Sequence, residues 1–254
     1  MTVFDDYKNR FRNIRFERQD GVLEVGLHTK GGPALWDGGV GGIHDQLGEA
    51  FALIGRDRET KVMILTGTGD AFCAGMDPDR IPEPMTPTTW ERIYKEGKDL
   101  LTNLLEIDVP IIGAVNGPAF IHAELAVLSD IVIASDTARF ADKVHAVYGV
   151  PPTDGVHVIW PMLLGPNRGR HFVWTGAAID AEEALRIGLV AELHSPAALR
   201  ERAWTLARDL AKKPTLMLRY TRTALTLPFK RALLTDLGYG LALEGLAVLG
   251  MSEG

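Results

Sequence analysis

The stretch AVNGPAFIHAELAVLSD, from Ala114 to Asp130, decides the fold. Its first residues form an apolar run typical of a buried strand, Asn116-Gly117-Pro118 breaks the run, and an apolar helical pattern follows. Two bulky residues, Ile121 and His122, stand at the break, where small residues would pack best. A lone histidine at such a position is more often a satisfied structural residue than a catalyst, so the stretch alone favours a structural role.

Short apolar strands alternate with helices on both sides of this stretch. The segment NIRFERQDGVLEVGLHT predicts a β-hairpin around Asp20-Gly21, and KVMILTG predicts a strand that is buried on both faces. Helical spacing of apolar residues marks GGIHDQLGEAFALIGRD and TWERIYKEGKDLLTNLLEI, whereas DIVIASD and ARFAD are typical of short strands. This alternation predicts an α/β fold with crossover connections and mostly parallel strand pairing.

The pattern changes after about residue 195, where helical segments follow one another. Three helices are predicted, and Pro214 and Pro228 mark the starts of the second and third, where a missing N–H does no harm. We therefore divide the chain into an α/β core at 1–195 and a helical region at 196–254. The last helix is apolar on several sides and must be covered by its own core or by a neighbouring subunit. This predicts an oligomer.

Composition narrows the classes of function. The chain has 254 residues, of which 46% are hydrophobic and 24% charged, and its net charge of −6 is spread over interleaved acids and bases. We expect no nucleic-acid surface, which needs a basic stripe, and no signal peptide or membrane-spanning run. The single cysteine, Cys73, excludes an intramolecular disulfide and fits a reducing, cytoplasmic compartment. A small-molecule enzyme, a binding module or an assembly subunit remain.

Two further stretches carry candidate chemistry. GTGDAFCAGMD, from Gly67 to Asp77, follows a predicted strand, and free N–H groups at such a glycine-rich turn can face a developing negative charge. In FADKVHAVYGVPPTDG, a carboxylate such as Asp154 could orient the ring of His145 and make it a better base toward water. Taken alone, a connecting loop and a surface histidine are the favoured interpretations. No metal-binding, phosphate-loop or serine-nucleophile motif is present.

Together these segments resemble the crotonase (enoyl-CoA hydratase/isomerase) superfamily. AFCAGMD at 71–77, AVNGPA with the following E-L-A and S-D at 114–130, and G-x-x-P-x-x-G at 149–155 match its landmarks in order and spacing. The resemblance implies a spiral of β-β-α turns, a helical C-terminal trimerisation region, and trimers or dimers of trimers. It also implies an oxyanion hole of two backbone N–H groups, here those of Met76 and of a residue near His122.

Two departures from the family pattern point away from hydratase chemistry. Hydratases of this superfamily usually have three glycines before the first catalytic glutamate, whereas this chain has Phe120-Ile121-His122-Ala123 before Glu124. The position of the second catalytic glutamate is His145. Carboxylates suit the addition of water to an activated double bond, whereas an imidazole backed by an aspartate suits activation of water for attack on a carbonyl.

One branch of the superfamily shares this pattern, the β-diketone hydrolases of the 6-oxocamphor hydrolase type, which HVIWP, GPNRGR and the N-terminal hairpin also resemble. These enzymes cleave a carbon–carbon bond between two carbonyls with water, in a retro-Claisen reaction that needs no metal and no coenzyme A. The resemblance implies His145 as base, oriented by Asp154, and His122 and Trp36 as the groups that hold the substrate carbonyls. Glu244 would be a further polar group, or a structural residue.

Three hypotheses follow. The first is a cofactor-independent hydrolase that converts a cyclic β-diketone into a keto acid. The alternative is an acyl-CoA hydratase or isomerase in which Glu124 is the acid and base. The third is a catalytically silent family member kept as an assembly subunit.

Overall fold

The computed structural model describes residues 3–81 and 83–251. A short 3-10 helix, Phe4–Asp6, precedes the strands and helices. The strands are β1 (Ile14–Gln19), β2 (Val22–Leu27), β3 (Leu35–Trp36), β4 (Val62–Gly67), β5 (Gly75–Met76), β6 (Ile111–Val115), β7 (Pro118–Ala119), β8 (Ile131–Ser135), β9 (Arg139–Phe140), β10 (Ile179–Asp180) and β11 (Glu192–His194). The helices are α1 (Ile43–Arg56), α2 (Pro87–Glu106), α3 (Glu124–Val127), α4 (Lys143–Tyr148), α5 (Val156–Leu164), α6 (Pro166–Thr175), α7 (Ala181–Arg186), α8 (Pro196–Ala211) and α9 (Thr215–Met251).

A six-stranded sheet in the order β1-β2-β4-β6-β8-β11 forms the centre of the fold. β1 and β2 are the predicted antiparallel hairpin, whose turn residues Asp20 and Gly21 have φ angles of 51° and 80°, as a two-residue hairpin turn requires. The other neighbours pair in parallel. Every residue of β2, β4 and β6 is buried, which explains their mostly apolar sequences. The predicted α/β class is confirmed.

Two smaller sheets lie where the candidate site forms. β3 and β5 pair in parallel and set Trp36 beside Met76, and β7, β9 and β10 form a three-stranded sheet. In the three-stranded sheet, β7, which follows Asn116, pairs with β9, which precedes α4. These short pairings bring the three landmark stretches of the sequence together.

The prediction of separate second and third C-terminal helices is wrong. Residues Thr215–Met251 form one continuous helix, α9, with Pro228 inside it. A proline inside a helix costs about 3 kcal/mol, but side chains on both sides of it are anchored in the core: Arg222 on one side, and Leu237 and Leu241 on the other. Burial of both halves against α2 and α5 offsets this cost and keeps the helix in one piece.

Buried arginines attach α9 to the end of α2. Arg222 is 1% exposed, donates from Nε to the Ile107 carbonyl at 2.7 Å, and pairs with Asp130. Arg219 pairs with Asp108 in the same way. Arg222 thereby satisfies carbonyl oxygens at the end of α2, which otherwise have no partner inside the helix. The preceding helix, α8, packs against the central sheet and contacts β2, β4, β6 and β8.

The outer face of α9 is strongly apolar. By length and composition this helix could cross a membrane, although about a third of the relevant window is buried inside the fold. Subunit-contact helices have the same composition, so one such helix is weak evidence for a membrane segment. Its large exposed side chains include Leu216, Met217, Tyr220, Leu225, Leu234, Tyr239 and Leu246.

Candidate active site

The six residues that the sequence assigns to the diketone hydrolase site line one cavity of about 260 Å³. The cavity lies between the β3–β5 pair, α2, α4 and the C-terminal half of α9. The six residues come from five separate segments of the chain and converge there: Trp36, Met76, His122, His145, Asp154 and Glu244.

His145 is oriented by a neighbour on its own helix. Asp142 is the N-cap residue of α4, and its two carboxylate oxygens lie 2.7 and 2.8 Å from His145 Nδ1. The sequence analysis assigned the orienting contact to Asp154, and the structure corrects this assignment. Residues three apart on a helix lie on the same face, so the spacing of Asp142 and His145 was the signal available in the sequence. Nε2 of His145 is left to face the cavity.

Two further carboxyl groups lie on the Nε2 side of His145. Asp154 Oδ2 and Glu244 Oε1 are each 3.6 Å from Nε2, too far for a hydrogen bond. The other oxygens of these groups, Asp154 Oδ1 and Glu244 Oε2, are buried and make no hydrogen bond to any described residue. Buried carboxylate oxygens without a partner are costly, so the arrangement is suited to receive a polar group.

The position of Glu244 depends on a close approach of two helices. Gly245 follows it on α9, and a Cβ atom there would lie 2.0 Å from Trp90 Nε1 on α2. Trp90 donates instead to the Leu241 carbonyl at 3.1 Å. The glycine therefore allows α9 to approach α2 and places the preceding glutamate in the cavity.

The charges of this cluster are set by the carboxylates around His145. Burial by itself would lower the pKa of His145, but attraction to Asp154 and the contacts with Asp142 and Glu244 outweigh it and raise the pKa to about 12. His145 is therefore an imidazolium at neutral pH. In turn, burial would raise the pKa of Asp154, but His145 and His122 hold it below its usual value. Burial raises the pKa of Glu244 to about 7.

His122 also lines the cavity and has an unusual backbone. The predicted apolar helix after the Gly-Pro break is the four residues of α3, and His122 precedes it with φ at 46°. That left-handed region is rare for a residue other than glycine and is characteristic of functional sites. The backbone N–H of His122 donates no hydrogen bond to the described residues, so both this N–H and the ring are available to a ligand.

The ring of His122 contacts two aromatic neighbours, which also contact each other. Its centroid lies 4.3 Å from that of Trp36 and 5.7 Å from that of His44. Nε2 lies 3.6 Å from Asp154 Oδ2, so this one carboxylate oxygen lies between the two histidines. Burial lowers the pKa of His122 to about 4, and the ring is neutral at physiological pH.

His44 is a residue of the site that the sequence patterns did not single out. His44 is 5% exposed, lines the cavity, and its Nδ1 lies 3.2 Å from Glu96 on α2. The sequence feature that could have indicated His44 is its position in the first turn of α1, next to the apolar Ile43 and directly after a glycine-rich run.

Glu124 is close to the cavity but does not line it. It is 3% exposed, accepts a short hydrogen bond from Trp160 Nε1, and its Oε2 lies 3.9 Å from His122 Nδ1. Burial raises its pKa to about 8, so this carboxyl group is mostly protonated at neutral pH.

Three ligand atoms of His145, Asp154 and Glu244 lie within 4.8 Å of one another and could hold a metal ion. A metal ligand must be deprotonated, so an ion here would have to displace the proton from His145 Nε2. The surrounding carboxylates stabilise the protonated form of His145, which disfavours a metal ion at this position.

Known structures share the overall fold of this chain. A β-diketone hydrolase from the cyanobacterium Anabaena, solved with bound (S)-3-oxocyclohexyl acetic acid, superimposes with a TM-score of 0.92, is 44% identical, and the match covers 97% of this chain and 98% of that one. An enoyl-CoA hydratase/isomerase from Mycobacterium paratuberculosis shares the fold, with a TM-score of 0.84 at 24% identity over 94% of each chain.

Sequence relatives lead to the same family. A carnitinyl-CoA dehydratase from Citrobacter koseri is 34% identical over 206 residues, which are 80% of this chain and 76% of that protein. The family profile described as enoyl-CoA hydratase/isomerase matches residues 38–242. The chain therefore belongs to the enoyl-CoA hydratase/isomerase (crotonase) superfamily.

Proposed function

We propose that the protein hydrolyses the carbon–carbon bond between the two carbonyl groups of a cyclic β-diketone and releases a keto acid. One observation carries the proposal: an oriented imidazolium, His145, lies beside a carboxylate with a free oxygen, Asp154, in a cavity that His122 and Trp36 also line. The similarity to the Anabaena β-diketone hydrolase supports the same reaction class.

The first step is addition of water to one carbonyl. The sequence-based hypothesis gave the water proton to His145, but an imidazolium cannot accept a second proton. We therefore assign the base to Asp154, whose Oδ1 has no hydrogen-bond partner among the described residues. Nε2–H of His145 donates to the attacked carbonyl oxygen and stabilises the negative charge that develops on it.

The second step breaks the carbon–carbon bond. The tetrahedral intermediate collapses to a carboxylic acid, and the bonding electron pair passes to the neighbouring carbon as an enolate. His122 and Trp36 face this enolate oxygen, together with the backbone donors expected near Met76 and His122. The proton held by Asp154 then returns to carbon, which completes the keto acid, and the carboxylic acid loses its own proton to solvent.

The alternative is an acyl-CoA hydratase or isomerase, and the carnitinyl-CoA dehydratase relatives favour it. In that mechanism Glu124 would be the acid and base. Its carboxyl group is directed toward Trp160 and His122 and does not line the cavity, which weighs against the alternative.

Parallel assays separate these functions. Loss of absorbance of a bicyclic 1,3-diketone and turnover of a crotonyl thioester are measured with the same preparation, and the diketone reaction is repeated in ¹⁸O-labelled water. We expect diketone loss, with one labelled oxygen in the product carboxylate. Turnover of the thioester alone would establish the alternative, and turnover of neither compound would favour a silent assembly subunit.

We further propose that the apolar outer face of α9 is covered by other copies of the chain, as a trimer or a dimer of trimers. Leu234 is 86% exposed and Tyr239 is 68% exposed in the single chain, and covering such large side chains is favourable. Sedimentation should give three or six times the chain mass, and Leu234→Glu should shift it toward the monomer. A monomeric native protein would contradict this proposal.

A further inference from the structure

The position of the single ring proton decides what His122 can do. A neutral imidazole carries one N–H, and its other nitrogen is an acceptor. The two nitrogens of His122 face different carboxyl groups: Nε2 lies 3.6 Å from Asp154 Oδ2, and Nδ1 lies 3.9 Å from Glu124 Oε2. Only the Nε2–H form can donate a hydrogen bond toward Asp154 and the cavity.

The contacts of Glu124 determine which of its oxygens carries the proton. Trp160 Nε1 donates to Oε1, so Oε2 is the oxygen left to bear a hydrogen. The charged groups that face Glu124 are Asp142, at the start of α4, and Asp154, in the turn before α5, and both repel an ionised carboxyl group. Together with its burial, at 3% exposure, this favours the neutral acid.

We propose that Glu124 is a positioning residue, whose neutral carboxyl group donates a hydrogen bond from Oε2 to His122 Nδ1 and thereby holds the ring proton on Nε2. The two atoms are 3.9 Å apart, and contacts of this kind often tighten only when substrate is bound. The role of the Nε2–H as a donor to the enolate rests on the proposed function, whereas the tautomer itself does not.

Ionisation of Glu124 should reverse this arrangement. Below a pH of about 8 the carboxyl group is protonated and donates to Nδ1. Above it, the carboxylate accepts a hydrogen bond and favours a proton on Nδ1, so Nε2 loses its proton and can no longer donate. Turnover should therefore fall as pH rises through about 8.

Glu124→Gln tests this inference. Trp160 N–H selects the amide oxygen, so the amide nitrogen faces His122 Nδ1 and donates at every pH. Diketone turnover should stay within about threefold of the native protein at neutral pH, because one donor replaces another, and the fall above pH 8 should disappear. ¹⁵N NMR of His122 should show Nε2–H at about pH 6.5 in both proteins, and at about pH 9.5 only in the variant.

Trp160→Phe is the matched control. The indole N–H of Trp160 stabilises the ionised form of Glu124. Loss of this N–H should therefore move the alkaline fall of turnover to higher pH, without changing the tautomer of His122 at about pH 6.5. A loss of about 100-fold or more in Glu124→Gln, as expected for a catalytic acid, would overturn the inference. A proton on Nδ1 in the native protein at about pH 6.5 would also overturn it. If the NMR results are as expected but no diketone is hydrolysed, the inference stands and the proposed function fails.

Discussion

Replacing His145 with alanine should lower kcat/KM for a bicyclic β-diketone by about 10³-fold or more. The variant loses the donor to the attacked carbonyl oxygen. It also leaves Asp142, Asp154 and Glu244 as three buried carboxyl groups without their cation. The attraction to His145 that holds the pKa of Asp154 low would then be lost, so this pKa should rise and Asp154 should become a poorer base. Steady-state diketone hydrolysis at neutral pH measures the combined effect.

His171→Ala is the matched histidine control for this experiment. His171 lies exposed on α6 and is not part of the cavity, so kcat/KM should not change. A His145→Ala variant that folds, as judged by circular dichroism, and retains near-native hydrolysis would disprove the proposed mechanism.

Asp154→Asn should lower kcat by about 10² to 10⁴-fold, because an amide cannot take a proton from water. The same change removes the largest attraction that raises the pKa of His145, so that pKa should fall. Titration of His145 by NMR measures this shift independently of turnover. The two effects together distinguish a base at Asp154 from one at His145.

The control for this substitution is Asp136→Asn, since Asp136 is exposed in the turn after β8 and its charge should not affect turnover. If Asp154→Asn keeps kcat and only raises KM, the carboxylate binds substrate and is not the base. That result would return the base assignment to another group of the cluster. A hydratase with Glu124 as its acid predicts the reverse order, with Glu124→Gln far more damaging than either variant.

The candidate site shows where sequence reasoning succeeds and where it fails. The landmarks around His122, His145 and Asp154 lie in stretches whose spacing the superfamily shares, so their convergence on one cavity could be expected from the resemblance. The partner of His145 Nδ1 could not be inferred in the same way. Asp142 and Asp154 were both near in sequence, and only the bounds of α4 decide which carboxylate lies on the correct face.

His44 and α9 illustrate the same limit. His44 has the sequence context of a helix start, but its burial follows from Trp36 and Glu96, which other segments supply. Pro228 predicts a helix boundary from local stereochemistry, and the buried arginines and leucines on both sides of it override that preference. In both cases long-range packing, which leaves no local pattern, determines the outcome.

Local patterns along the chain were enough to predict the α/β class, the hairpin at Asp20-Gly21 and the buried strands, because periodicity and turn chemistry are properties of neighbouring residues. The superfamily followed from the resemblance of the landmark motifs. Tertiary structure alone decided the charge of His145, the neutral state of His122 and the protonation of Glu124. A pKa responds to burial and to charges within a few ångströms, and those neighbours come from segments that meet only in the folded chain.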